Sequence, residues 1–299
     1  MKTTDILRLI SLAAIWGASF LFMRMIVPTL GAMPTAFFRV LFGAGGLALI
    51  LLLMRVRWDF KQKLGAAMML GVINSGIPFV MFSLAAKVLP AGYSAILNAT
   101  TPLMGVIIGA LLFAERPGLN KILGVLLGIA GVAVLTSTGP VEFNATLLIA
   151  AAECMVATAC YGLASFLTKK WISAKGGLDS KLVAFGSQLG AVSLLLPFFC
   201  YGTLTQPPAS WGNNTLWLTL AALGLICTAL AYILYFRLIA DIGPVKSLTV
   251  TFLIPLFGVL WGAVFLHESI TLAHLTGGSL IGLAVWLVLR PEKTAHAVK

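Results

Sequence analysis

Two charged side chains stand inside long apolar runs of this chain, and their types suggest the chemistry each would do there. Glu153 is followed by Cys154, Met155 and Val156, and Arg39 comes directly after Pro34-Thr35-Ala36-Phe37-Phe38. A charge at the centre of a bilayer costs at least about 2.5–3.5 kcal/mol on insertion scales, so each needs a reason to be there. A carboxylate in such a run can bind and release a proton, or hold a substrate amine. Glu153 is therefore a candidate for both proton coupling and substrate binding. Its structural alternatives are an ion pair with Arg39 and a side chain reaching for the interface. Arg39 offers a planar fork to a carboxylate, whether from a substrate or from Glu153. Asn74, Asn98 and Gln188 are uncharged but costly to leave unpaired; each either meets a ligand or bonds a neighbouring helix for about 0.6–2 kcal/mol.

Asn98 lies four residues before Pro102. A proline removes one helix hydrogen bond and frees a carbonyl in the preceding turn. Freed backbone beside a polar side chain suits a ligand or a bending point. Pro78 and Pro255 repeat the device, so Pro78, Pro102 and Pro255 are candidate kinks or gating points, with a static kink as the alternative. Trp16, Tyr161, Tyr232 and Trp261 are rings that would stack on an aromatic or cationic substrate, against the alternative of plain packing.

The elements that position these residues follow from composition. Of 299 residues, 60% are hydrophobic and 10% charged, with mean hydropathy +1.04. That excludes a soluble domain with an ordinary polar surface, and it excludes disorder. Ten apolar stretches are long enough to cross a bilayer: approximately Ile6–Val27, Pro34–Met54, Leu64–Ala86, Tyr93–Ala114, Lys121–Thr138, Thr146–Thr168, Lys181–Thr203, Leu216–Ile239, Lys246–Leu266 and Leu272–Arg290. They do not alternate apolar and polar residues, so helices are expected and a barrel is not. Ile6–Val27 is too long for a signal peptide and has no convincing cleavage site after it; a retained first helix is expected.

The net charge of +11 resides in the connectors. Arg55, Arg57, Lys61, Lys63, Arg116, Lys169, Lys170, Lys175, Arg237, Lys293 and Lys299 all fall on the side of the N-terminus, and only Arg24 and Lys87 fall near the other. This is the distribution of a membrane topology signal and not of a nucleic-acid binder, and it places both termini in the cytoplasm. Cys154, Cys160, Cys200 and Cys227 lie in apolar runs and are expected as core residues, without a disulfide, metal or cofactor.

A shift of about 153 residues lays the fourth and fifth spans on the ninth and tenth. Pro102 then meets Pro255, Gly105 meets Gly258, Gly109 meets Gly262, Glu115 meets Glu268 and Gly124 meets Gly277. A slightly different shift lays Trp16-Gly17 on Tyr161-Gly162 and Arg24 on Lys169. Each half holds an odd number of spans, so the second half enters the membrane the other way up. Inverted repeats of this kind support alternating access, with the substrate near the midplane between the halves. A stable duplicated bundle is the structural alternative. The expected division is 1–140 and 141–299, with the join near Pro140–Ala145.

The Trp16-Gly17-Ala18-Ser19-Phe20 stretch, Arg39 after its Pro-Thr-Ala-Phe-Phe run, and the doubled Pro–Gly–Gly–Glu pattern resemble the drug/metabolite transporter superfamily, in its ten-helix EamA-type branch. The likeness covers nearly the whole chain. It implies two five-helix repeats around a cavity lined by spans one, three, four, six, eight and nine, and export or exchange of small metabolites, amino acids or drugs. It implies no particular substrate. Asn98 meets Thr251 and Arg39 falls near Gln188, so the two halves of such a cavity differ chemically.

An enzyme is not expected. His267 and His274 are seven apart and near the surface, and no histidine or aspartate pair stands inside a span to serve a metal or a nucleophile. There is no G-x-x-x-x-G-K-[ST] loop, so energy would come from a gradient or from the substrate. The expectation is an all-α secondary carrier of the inner membrane, an exporter or exchanger of amino acids or related amines. A channel-like facilitator or lipid scramblase is the alternative. The expected partners are the bilayer and a small-molecule substrate, with protons and a second copy of the chain as further candidates and no nucleic acid.

Overall fold

The computed structural model describes residues 2–139, 141–208, 210–242, 247 and 250–289. Lys246, Arg290, Lys293, Lys299 and Pro140, which figure in the expectations above, lie outside the described residues. Among the described residues, nine helices are long and apolar enough to cross a membrane: α1 (Thr3–Leu30), α2 (Ala32–Leu53), α3 (Leu64–Ala85), α4 (Ala91–Leu112), α5 (Leu119–Thr138), α6 (Ala145–Lys175), α7 (Ser180–Thr205), α8 (Asn214–Ile242) and α10 (Leu272–Leu289). The shorter apolar helix α9 (Val250–Leu266) completes ten. There is no strand among the described residues.

Local chemistry sets several boundaries. Asn144 Oδ1 accepts from the Leu147 N–H (2.9 Å) and Asn213 Oδ1 from the Leu216 N–H (3.0 Å), satisfying first-turn donors of α6 and α8. Gly31, at φ 86°, makes the turn that joins α1 to α2 without a loop.

The chain is built as two inverted five-helix halves, and their packing is reciprocal. α1 lies against α9, as α6 lies against α4; α2 lies against α8, as α7 lies against α3. α5 and α10 form a pair beside these contacts. Close approaches repeat with the halves. A Cβ at Gly17 would fall 2.9 Å from the Gly258 nitrogen, and one at Gly162 would fall 3.0 Å from the Gly105 nitrogen. Gly258 and Gly105 are the residues that the sequence shift superimposes.

The third helix of each half is widened into a π-helical turn, over Val72–Gly76 in α3 and Leu225–Leu230 in α8. The two turns start about 153 residues apart, the same shift as elsewhere. Each is preceded by a glycine, Gly71 or Gly224, whose missing Cβ admits the backbone or side chain of the opposite half, Ser187 for the first and Phe42 for the second. On the face carrying the N-terminus, Arg8 pairs with Asp241 and lies 3.7 Å from Asp5, tying α1 to α8.

Candidate functional site: a cavity between the halves

A cavity of about 270 Å³ lies where the two halves meet. Its walls come from α1, α3, α4, α6, α8 and α9, with Arg39 added from α2. Most of the lining falls into matched positions of the two halves. Asn74 faces Cys227, Phe79 faces Tyr232, Phe82 faces Tyr235, Asn98 faces Thr251 and Thr101 faces Ile254 in the sense of the 153-residue shift, and Trp16 is matched by Tyr161. The cavity therefore sits on the pseudo-twofold axis.

Three of these wall positions lie four residues before a proline. Pro78, Pro102 and Pro255 deprive Asn74, Asn98 and Thr251 of the hydrogen bond their carbonyls would accept. The helices respond differently. α3 passes through its π-helical turn immediately before Pro78. α4 is interrupted at Ala99–Thr100, and there Thr101 Oγ1 donates to the Asn98 carbonyl and Thr100 Oγ1 to the Leu97 carbonyl, both at 2.8 Å. α9 runs through Pro255 unbroken. Irregular backbone at membrane depth is tolerated where it lines a cavity, which is where these sites are.

Arg39 breaks the match between halves. It is 5% exposed, its guanidinium carbon stands 3.6 Å from the centroid of the Phe79 ring, and its Nε donates to Thr228 Oγ1 (3.3 Å). Its Nη1 lies 3.5 Å from the Met23 sulfur. No carboxylate of a described residue pairs with it. Its counterpart is Gln188, whose Nε2 donates to Ser75 Oγ (2.9 Å), and Ser75 and Thr228 are themselves related by the shift. Each half thus sends a long polar side chain from its second helix onto a hydroxyl in the π-helical turn of the other half. One of the two carries a charge and lines the cavity; the other is neutral and fully buried.

Of the residues singled out from sequence, Trp16, Arg39, Asn74, Asn98, Tyr161 and Tyr232 are brought together in this cavity. Gln188 stands behind the wall. Trp261 donates its indole N–H to the Ala14 carbonyl (3.0 Å) in the α1–α9 interface. Glu153 is half-buried on α6, does not line the cavity and makes no ion pair with Arg39; its electrostatic partner is Lys87. Ser19, Thr101, Cys227 and Thr228 line the cavity without having been singled out. The signal for the last two was present: moving Asn74 and Ser75 by the repeat shift lands on them.

A duplicated, inverted bundle of ten helices around a cavity of this kind defines a multi-pass membrane transporter of small molecules, not an enzyme. Comparison with known proteins names its family. The model of the EamA-like transporter family matches residues 4–137 and again residues 148–290, and the chain belongs to that family. Among similar proteins are the Bacillus subtilis (strain 168) protein named uncharacterized transporter YvbV, 27% identical over 99% of this chain and 95% of its own length, and Protein PecM of Dickeya dadantii (strain 3937), 28% identical over 92% and 88%. A solved crystal structure, 18% identical, superposes over 96% of this chain and 97% of its own with a TM-score of 0.62, a likeness of fold.

Proposed function

We propose that this transporter is a secondary carrier working by alternating access between its halves, residues 1–140 and 141–299, and that it exports or exchanges a small amphipathic metabolite bearing a carboxylate. Amino acids are the leading class. The observation that carries this is Arg39: a buried cation at a cavity wall with no carboxylate of a described residue beside it. Taking a charge out of water costs several kcal/mol unless it is paired, and a cation–π contact and one hydroxyl offset only part of that. A substrate carboxylate would complete the site. The ammonium group of an amino acid would meet the faces of Trp16, Tyr161 and Tyr232 and the amides of Asn74 and Asn98. Glu153, outside the lining, is not needed for it.

The two inverted halves supply two nearly equivalent packings, which alternating access requires. The connector charges support a cytoplasmic N-terminal face in a bacterial-type inner membrane. The test is uptake into proteoliposomes of the purified protein, from a pool of labelled amino acids and aromatic amines, with and without an imposed pH gradient. Saturable uptake of carboxylate-bearing members, stimulated by the same solute on the other side, is expected. Saturable uptake of amines alone would overturn the carboxylate assignment, and flux that never saturates would overturn the carrier in favour of a channel.

A further inference from the structure

We propose that Glu268 is the latch of a gate between α4 and α9 on the face opposite the N-terminus, and that Glu115 is its counterpart on the N-terminal face. This rests on the alternating-access reading and adds the residues that hold one side shut.

The two glutamates occupy the same turn. After α9, His267 takes φ 54° and the Glu268 N–H donates to the Gly262 carbonyl (3.1 Å). After α4, Ala114 takes φ 53° and the Glu115 N–H donates to the Gly109 carbonyl (3.0 Å). Positive φ is uncommon outside glycine, and here it recurs at matched positions. The turn folds each carboxylate back over its own helix: Glu268 lies where a Cβ at Gly262 would be, and Glu115 Oε2 lies 3.0 Å from the Cβ position of Gly109.

Beyond the turn the two sides differ. Glu268 reaches across to the other half. Its Oε1 accepts from the Ala91 N–H (2.9 Å) and its Oε2 from the Gly92 N–H (3.4 Å), two first-turn donors that have no partner within α4. Below this cap α4 and α9 are in close contact. A Cβ at Gly92 would fall 2.9 Å from Val259 Cγ2, and one at Gly258 would collide with the Ala95 side chain. Glu115 instead lines a groove of about 350 Å³, together with Arg116 and Lys121. That groove shares Thr101, Tyr161 and Thr251 with the central cavity. A second groove, beside α9 and α10 at Pro255 and His274, shares no described lining residue with the cavity. The groove on the N-terminal face thus abuts the cavity at shared wall residues, whereas α4 and α9 pack shut beneath Glu268 on the other face. Opening the closed side requires Glu268 to leave the α4 donors.

Cys227 lines the cavity and serves as the reporter. In a parent with Cys154, Cys160 and Cys200 replaced by alanine, a membrane-impermeant methanethiosulfonate is applied to the face carrying the 267–271 connector. Glu268→Ala is expected to speed Cys227 modification at least about tenfold, because it removes two charge-assisted hydrogen bonds. Glu268→Gln keeps an acceptor and stays within about threefold of the parent. Glu115→Ala gives no acceleration from this face. An unchanged rate in a monodisperse Glu268→Ala protein, or equal acceleration by Glu115→Ala, overturns the proposal. If Glu268→Ala does not fold, Glu268→Asp carries the same test, since its side chain is one methylene too short to reach both α4 donors while the charge stays in place. The labelling needs no substrate. Acceleration in a protein that carries none of the test solutes would keep the gate and defeat the substrate reading; transport with no acceleration would do the reverse.

Discussion

Arg39 holds its guanidinium flat on Phe79 and hydrogen-bonded to Thr228, an arrangement that only a planar, delocalised cation makes. Replacing it with alanine is expected to weaken binding of a carboxylate substrate by about 10–100-fold, the loss of a charge-assisted contact of about 1.5–3 kcal/mol. Arg39→Lys keeps the charge but loses the stacked fork, and a loss of at least about tenfold is expected from it as well. Isothermal binding to the purified protein checks both; retention of full affinity in either would remove Arg39 from the site. Glu153 gives the opposite expectation. It does not line the cavity, so Glu153→Gln should leave the pH dependence of uptake unchanged and alter its rate by less than about twofold. A flattened pH profile in that variant would return proton coupling to Glu153. Both residues stand out in the sequence as charges in apolar runs. What separates them is whether the side chain reaches the cavity, and a single charge in an apolar run does not reveal that.

The ten helices are legible from run length and hydropathy, since each run must satisfy its own backbone in lipid. Their departures from regularity are less so. Pro102 forecasts an interruption and α4 is interrupted just before it, whereas Pro255 carries the same signal inside a continuous α9. The π-helical turn of α8 has no proline at all. It and its partner in α3 are marked instead by Gly71 and Gly224, which let the opposite half press against the turn. Gly71→Ala would drive a Cβ into the Ser187 backbone, and a loss of about 1–3 kcal/mol or more is expected, because backbone cannot swing aside. Gly45→Ala and Gly65→Ala meet nothing within 4 Å and should be neutral or raise stability by up to about 1 kcal/mol. Thermal unfolding of the three variants in one detergent decides the point; equal melting temperatures would mean that the α3–α7 contact is not rigid.

At the scale of the whole molecule, the inverted duplication can be read in the fourth, fifth, ninth and tenth spans, where prolines, glycines and glutamates mark it, but hardly in the third and eighth, where the matched residues are Asn74 with Cys227 and Phe79 with Tyr232. Chemically unlike side chains hide a geometric equivalence that only the folded chain displays. That equivalence yields a prediction about the entire assembly. Arg39 on Thr228 beside Phe79 is mirrored by Gln188 on Ser75, with Tyr232 in the place of Phe79. If the pseudo-twofold axis governs the site, the cation can be moved from one half to the other. Arg39→Gln alone should lose carboxylate binding by about 10–100-fold, and Arg39→Gln combined with Gln188→Arg should regain at least about tenfold of it, the arginine now stacking on Tyr232. The substrate would then be held in the reverse sense along the axis, so the pair of variants should also differ in which enantiomer or chain length of amino acid they prefer. Binding measured across a small panel of carboxylates tests this. A double variant that folds but binds no better than Arg39→Gln would mean that the second half of the cavity cannot seat a charge, and that the symmetry is one of packing and not of recognition.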